Sequence, residues 1–270
     1  MIRLRQLEKT FYRGTPNEVR ALRGVDLDVP DGCFAAIIGT NGSGKSTLLN
    51  AVAGTFELDE GLVEIDGRDV AGWAEWRRAR LVGRVFQNPF AGTASQMTIA
   101  ENLALAMRRG RRRGLGLALP RAAREEMARR VRELGMGLED RLDNPIGTLS
   151  GGQRQALTLL MATWAKPRLL LLDEHTAALD PKSAAQVAAL TGEIVRREKL
   201  TALMVTHSMQ QAIDLPDVVV MMHKGKIVRQ FAGAEKARAR TADLLSAFDL
   251  VRRREQLDEG VADAMRRQYR

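Results

Sequence analysis

The chain has 270 residues, 45% hydrophobic and 28% charged, with a net charge of +9. That balance supports a sizeable buried core and excludes a chain disordered throughout. A single cysteine, Cys33, excludes an internal disulfide framework and a multi-cysteine metal site, and three histidines argue against a histidine-held zinc. No apolar run approaches the ~18 residues of a spanning helix. The opening MIRLRQLEKTFYRG lacks the apolar stretch of about 7–15 residues found in a secretion signal. The expectation is a soluble, intracellular chain in a reducing compartment. The charge excess is local. Arg108 to Arg132 contain ten arginines and two glutamates, so the rest of the chain is nearly neutral. A basic chain raises nucleic acid as a partner, but one local block is a weak argument for it, and none is expected.

Residues 1–30 alternate apolar and polar, as in Ile2-Arg3-Leu4-Arg5 and Val25-Asp26-Leu27-Asp28-Val29, which predicts antiparallel strands at a half-buried edge. Phe34-Ala35-Ala36-Ile37-Ile38 is a short continuous apolar run, as in a buried parallel strand. A helix is predicted from Ser46 to Ala53, closed by Gly54. Gly61 to Gly67 alternates and turns at Asp66-Gly67, a hairpin signal. Residues from about 88 to 150 are rich in Ala, Arg, Leu and Met, with Met127, Val131 and Leu134 on one helical face. They read as an inserted helical subdomain. Strand patterns return at Leu169–Leu172 and Ala202–Thr206, with Val187, Leu190 and Ile194 marking a crossover helix between them. Val218–Met222 and Ile227-Val228 flank Lys224-Gly225 as a closing hairpin. Leu244, Leu245 and Phe248 mark a short amphipathic helix before a charged tail. The organisation expected is a main domain over 1–230 and a short helical C-terminal extension over 231–270. The fold class expected is α/β, with a mainly parallel sheet, an antiparallel β subdomain and the helical insertion over about 88–150.

Gly39-Thr40-Asn41-Gly42-Ser43-Gly44-Lys45-Ser46 matches G-x-x-x-x-G-K-[ST] between a predicted strand and a predicted helix, the context that the motif requires. Its glycines let backbone N–H groups turn toward phosphate oxygens, and the helix N-terminus adds positive potential. Lys45 supplies a charge for the β and γ phosphates, Ser46 a hydroxyl for Mg²⁺, and Thr47 is placed for the α-phosphate. Leu169-Leu170-Leu171-Leu172-Asp173-Glu174 ends an apolar strand in two acids. Asp173 can hold Mg²⁺ through water, and Glu174 can polarise an attacking water.

Between these motifs lies Leu149-Ser150-Gly151-Gly152-Gln153, with Ser150 23 residues before Asp173. With the flanking motifs it resembles the signature of ABC-type ATPases, the nucleotide-binding subunits of ABC transporters. The resemblance runs from residue 1 to about 230, and it implies that this stretch is an ABC-type ATPase domain built on a phosphate-loop NTPase core. It implies that Gln87, in Val85-Phe86-Gln87-Asn88-Pro89, is the Q-loop glutamine near Mg²⁺. Ala178-Leu179-Asp180 looks like the D-loop, and His207 like the switch histidine. Phe11 sits where an aromatic stacks on adenine, with Tyr12 as the neighbouring candidate. Ser150, Gly151, Gly152, Gln153 and Asp180 of one copy would meet the nucleotide held by a second copy in a head-to-tail dimer. The resemblance further implies ATP and Mg²⁺ as cofactors. Its implied partners are integral membrane permease subunits with a solute-binding protein, and its place is the cytoplasmic face of the inner membrane, peripherally. Import of a small organic solute is the expected function. Export, lipoprotein release and a non-transport ABC ATPase are the alternatives, as is a scaffold that binds ATP without hydrolysing it.

The chain departs from the family pattern in three places. His175 stands where proline follows the glutamate, either as a structural variant or as a second functional imidazole. Ala156 stands where arginine is common, with Arg154 nearby, and the helix after the signature is more apolar than usual. These variants resemble a subgroup of importer ATPases, some linked to aromatic amino acids. The basic block from Arg108 to Arg132 reads either as a solvated helix face or as a patch near anionic lipid headgroups.

Overall fold

The structure, a computed structural model, describes residues 1–110 and 120–251. Its centre is a six-stranded sheet in the order β10-β9-β3-β8-β7-β6. The strands are β3 (Phe34–Gly39), β6 (Val82–Val85), β7 (Leu169–Asp173), β8 (Ala202–Val205), β9 (Val218–His223) and β10 (Lys226–Phe231). All neighbours are parallel except β10, which returns antiparallel along β9. Parallel strands covered on both faces read as continuous apolar runs rather than alternating ones. Alternate residues nonetheless serve different cores. Ala36, Ile38, Leu170, Leu172 and Met204 enter one cluster, while Ala35, Ile37, Leu169, Leu171 and Leu203 enter the other.

The second sheet is antiparallel, with four strands in the order β2-β1-β4-β5: β1 (Ile2–Phe11), β2 (Val19–Val29), β4 (Glu60–Ile65) and β5 (Arg68–Asp69). The antiparallel expectation holds, but β1 is not an edge. It pairs with β2 on one side and β4 on the other, because the hairpin after the phosphate helix returns to cover its free side. That hairpin turns at Asp66 and Gly67, both at positive φ (53° and 71°), as a two-residue turn between twisted strands requires.

Helix α1 (Lys45–Ala53) joins the two sheets and closes at Gly54 in the left-handed region. Its C-terminal end is held by Arg78, the last residue of the short helix α2 (Glu75–Arg78), a side chain only 2% exposed. Arg78 Nη1 donates to the Ala51 and Val52 carbonyls at 2.7 and 3.0 Å, Nη2 to Ala71 and Nε to Trp73. A cation at a helix C-terminus is favoured by the peptide dipoles as well as by these bonds.

The helical insertion holds α3 (Ile99–Met107) and α4 (Arg121–Arg132) and leads into α5 (Gly151–Thr163). Thr98 and Glu101 form a capping box at the start of α3. Met127, Val131 and Leu134 are buried together as the spacing predicts. The arginines of α4 are largely paired on the surface: Arg121 with Glu125, Arg124 with Asp143, Arg129 with Glu126 and Glu133, and Arg130 with Glu126 and over the Trp164 ring. This half of the basic block is a solvated, ion-paired helix face. Arg109 is not part of it, for it turns inward and donates to the Ala162 carbonyl at 2.7 Å. Arg111, Arg112 and Arg113 lie outside the described residues. The crossover helix α6 (Pro181–Glu198) is capped by Asp180. It precedes β8, and α7 (Met209–Asp214) follows that strand. After β10 come α8 (Gly233–Arg238) and a helix over 241–251. In that last helix Leu244 and Phe248 join the main core, whereas Leu245 is 50% exposed.

Replacing Arg78 by Leu leaves the Val52, Ala71 and Trp73 carbonyls without this donor, while Ala51 keeps the Gly54 N–H. With each of these three acceptors costing ~1 kcal/mol, we expect a loss of about 3 kcal/mol in unfolding free energy, read from the denaturant midpoint. A midpoint unchanged from wild type would show that water replaces the guanidinium without cost.

Candidate active site

The phosphate loop runs from the end of β3 into α1. Gly42 and Gly44 take φ of 75° and 97°, open to glycine with little strain. A Cβ on Gly44 would lie 2.5 Å from the Ala21 carbonyl oxygen, and one on Gly39 would lie 2.5 Å from the Met222 carbonyl oxygen. The loop is therefore wedged between β2 and the β9–β10 turn. Gly225 of that turn donates to the Ser43 carbonyl and accepts from the Arg23 N–H. The Lys224-Gly225 pair reads in sequence only as a hairpin turn, and its second role as a wall of the loop is visible only in three dimensions.

Lys45 is buried, and its ammonium donates to the carbonyls of Gly39 (2.9 Å) and Thr40 (3.0 Å). Burial lowers its pKa, and the nearby Glu174 carboxylate pulls partly the other way. Ser43 Oγ is buried without a hydrogen-bond partner. The first turn of α1 has no side-chain cap. A lysine, an orphaned hydroxyl and open helix N–H groups fit the phosphates of a nucleotide. Asn41, Gly42 and Ser46 stand exposed at the loop's outer side, and Thr40 and Thr47 are half-buried.

Asp173 and Glu174 end β7, beside β8. The Glu174 N–H donates to Val205 at 2.9 Å, and the residue adopts φ 45°, uncommon for a side chain with a Cβ. This turn sets the Glu174 carboxylate 2.6 Å from His207 Nε2, just after β8. A carboxylate oriented by an imidazole can take a proton from water. Asp173 is held by Arg84 of β6 at 3.3 Å. Among the described residues no group of three or more His, Cys, Asp and Glu gathers. The Ser46 hydroxyl and the Asp173 carboxylate are hard oxygen donors, which would suit Mg²⁺ rather than a metal needing an all-protein cage. Gln87 is exposed on the turn after β6, and Gln155 of α5 donates to the neighbouring Phe86 carbonyl at 3.0 Å. Four neighbouring strands, β3, β8, β7 and β6, thus bring the phosphate loop, His207, Asp173 with Glu174, and Gln87 to one edge of the sheet.

Phe11 packs edge-on against Phe56, with ring centroids 5.4 Å apart, and Lys9 Nζ lies over both rings. Tyr12 is the more open ring, 71% exposed. Ser150 and Gln153 form a capping box at the start of α5, and Gln153 also donates to the Met136 carbonyl. The Gly151 and Gly152 backbone lies close against Leu179 and Ser183, where a Cβ would approach to 3.2 and 2.8 Å. Asp180 accepts from the Ser183 N–H. Among the described residues no hydrogen bond or ion pair joins Ser150, Gly151, Gly152, Gln153 or Asp180 to the phosphate loop of the same chain. Arg154, the neighbour of Ala156, is buried, donates to Gly147 and Leu149, and stacks on Phe90.

His175 is 1% exposed, and its Nε2 lies 2.9 Å from Thr191 Oγ1 of α6. Thr191 donates to the Val187 carbonyl, so it accepts from the imidazole. The residue ties the turn after β7 to α6, which is the structural rather than the second-imidazole reading. Burial pushes its pKa down to about 4 from an ordinary 6.5. Because the unfolded chain takes up this proton and the folded one resists it, His175 lowers stability as pH falls from 6.5 toward 4. The loss reaches roughly 3 kcal/mol, at about 1.4 kcal/mol per pKa unit. In His175→Gln, which keeps a donor for Thr191, denaturant midpoints between pH 7 and 4 should fall less steeply than in wild type. Parallel curves would rule out a proton-resisting His175.

The sequence matches the ABC transporter family profile over residues 22–177. It is 39% identical over 251 residues to a tyrosine transport ATP-binding protein of Clostridioides difficile (strain R20291), covering 92% of this chain and 99% of that one. It is 34% identical over 235 residues to the methionine import ATP-binding protein MetN of Escherichia coli (strain K12), covering 85% of this chain and 65% of MetN. Among solved structures, the ADP conformation of the cassette MJ1267 aligns with a TM-score of 0.76 at 26% identity, covering 93% of this chain and 97% of that one. A dimeric post-hydrolysis state of the cassette MJ0796, bound to ADP and Pi, aligns with a TM-score of 0.73 at 26% identity, covering 85% and 97%.

Proposed function

From the premise that this chain belongs to the ABC transporter family and is an ATPase, we propose that it powers import of a small organic solute through a separate membrane permease. The observation that carries hydrolysis rather than passive nucleotide binding is the Glu174–His207 pair, 2.6 Å apart, beside a complete phosphate loop. Import is supported by the relatives named for tyrosine transport and methionine import, and an aromatic amino acid is the first solute to test.

In this reading Lys45 and the N–H groups of residues 39–46 bind the β and γ phosphates, and Phe11, with Tyr12 beside it, offers a ring to adenine. Ser46 and Asp173 would hold Mg²⁺, with Gln87 adjoining. The ion supplies neutralisation of phosphate charge. Glu174 accepts a proton from the attacking water, and His207 orients that carboxylate and reaches toward the γ-phosphate. Ser150, Gly151, Gly152, Gln153 and Asp180 serve the nucleotide of a second copy in a head-to-tail dimer, supported by the dimeric cassette of MJ0796.

Among the described residues no helix is long and apolar enough to cross a membrane, so membrane attachment is assigned to the permease, on the cytoplasmic face. A groove of about 820 Å³ supports that docking. Trp76, Phe86 and Leu105 line it together with Arg80, Arg84 and Arg109. Trp76 and Leu105 are 71% and 56% exposed and line the same groove, and an apolar patch of this kind favours a protein partner. A solute-binding protein completes the importer.

Glu174→Gln should bind ATP, elute as an ATP-dependent dimer in size-exclusion chromatography, and hydrolyse at least ~10²-fold more slowly. A variant that stays monomeric with normal turnover sinks both the base assignment and the dimer. Lys45→Ala should weaken nucleotide binding and abolish turnover, because a desolvated cation is lost from the phosphates. Cells carrying only the Lys45→Ala chain should lose energy-dependent uptake of labelled tyrosine. Unaltered uptake of tyrosine and of other small organic solutes would remove the importer assignment while leaving the ATPase in place.

A further inference from the structure

Arg84 is assigned no role by the sequence motifs. It lies on β6 opposite Leu171 of β7, with a side chain 14% exposed. Nη2 donates to Asn50 Oδ1 at 2.6 Å and to Asp173 Oδ2 at 3.3 Å, and Nη1 donates to Thr55 Oγ1 at 3.3 Å. The guanidinium also lies over the Phe86 ring, 4.6 Å from its centroid, and its Nε is buried without a partner. Asn50 belongs to α1, and Thr55 follows its Gly54 cap. One side chain therefore meets the last turn of the phosphate helix, the metal-side carboxylate and the residue before Gln87. Arg84 and Phe86 are also part of the groove lining.

The two Nη2 bonds are unequal. The contact to Asn50 is short, whereas the contact to Asp173 is longer than the ~2.7–2.9 Å of a well-formed charge-assisted bond. The guanidinium is seated on α1 and leans on the carboxylate. Asp173 is also the carboxylate assigned, with Ser46, to a divalent cation in the proposed function. A fixed positive charge within hydrogen-bond reach of that carboxylate repels a second cation arriving there. We propose that Arg84 competes with the divalent cation for Asp173, so that metal binding loosens the guanidinium's hold on the carboxylate and links nucleotide occupancy to the groove wall. This rests on the reading of Asp173 as the metal carboxylate.

The test is binding of a fluorescent ATP analogue to the full chain, titrated with Mg²⁺ from a chelated start. In Arg84→Met, which keeps apolar contact with Phe86 and removes the charge, the half-saturating Mg²⁺ concentration should fall about five- to tenfold, as expected when a neighbouring cation is deleted. Arg84→Lys, which keeps the charge, should stay within about twofold of wild type. A half-saturating concentration unchanged or raised in Arg84→Met overturns the competition, because a purely positioning arginine would leave metal binding weaker when removed. Analogue affinity without Mg²⁺ reports whether the loop is intact. If Arg84→Met loses it, Arg84→Gln, which keeps a donor for Asn50, carries the same expectation. Asp173→Asn separates the two readings. Loss of the Mg²⁺ response supports Asp173 as the metal carboxylate, and an undiminished response overturns that assignment and the competition together.

Discussion

A buried lysine at the mouth of a helix constrains much of this molecule. Lys45 has left water, and burial alone would favour its neutral form. It stays hydrogen-bonded because the carbonyls of Gly39 and Thr40 point inward, which the loop achieves only with left-handed glycines at 42 and 44. The loop in turn has to pass within contact of Ala21 on β2 and Met222 on β9. These two walls come from different sheets, so the antiparallel sheet and the closing hairpin are fixed relative to β3 by the demands of one side chain. The other end of α1 is fixed as well. Its last carbonyls have Arg78 as donor, and Asn50 receives Arg84.

The parallel sheet turns this local constraint into a site. Strands that run together end together, and the edge where they end gathers loops from sequence-distant segments. Residues 39–46, 87, 173–174 and 207 are separated by up to most of the chain, yet they lie at the ends of β3, β6, β7 and β8, which stand side by side in the order β3-β8-β7-β6. The two acids then face different partners because Glu174 adopts a left-handed φ immediately after a regular strand residue. Asp173 meets Arg84 and Glu174 meets His207. Two adjacent residues thereby take separate chemical environments with no insertion between them.

Much of this was legible in the sequence because it follows local rules. A continuous apolar run predicts a strand buried on both faces, Gly54 closes a helix, and Asp66-Gly67 turns a hairpin, and each stands where the pattern puts it. What escaped the sequence depends on distant partners. The position of β1 between β2 and β4 requires knowing that residues 60–65 return to it. Arg78 and Arg84 stand in one stretch with Arg77 and Arg80, and no local signal separates the two arginines that bind carbonyls and carboxylate from the two that are exposed. Leu244 and Leu245 are adjacent and chemically identical, and only the helix's placement on the core decides that one is buried and the other half-open.

In the proposed function the signature turn is one of two half-sites carried by the same chain. Ser150 caps α5 by accepting from the Gln153 N–H, and Gln153 returns a bond to the Ser150 N–H. Gly151 and Gly152 hold the first positions of a 13-residue helix, whose N–H groups have no acceptor within the helix itself, and Ser150 and Gly151 are exposed. Close packing against Leu179 and Ser183 fixes these donors to the start of α6, so the turn moves with the segment capped by Asp180. Such a helix end favours an anion, and the phosphate loop of its own chain has no bond to it. In the proposed head-to-tail pair, the γ-phosphate on one copy's Lys45 is the anion that completes the other copy's helix terminus. In that proposal the association would be strongest with the nucleotide intact and would weaken once the terminal phosphate is cut free, so that the dimer's opening would follow directly from hydrolysis.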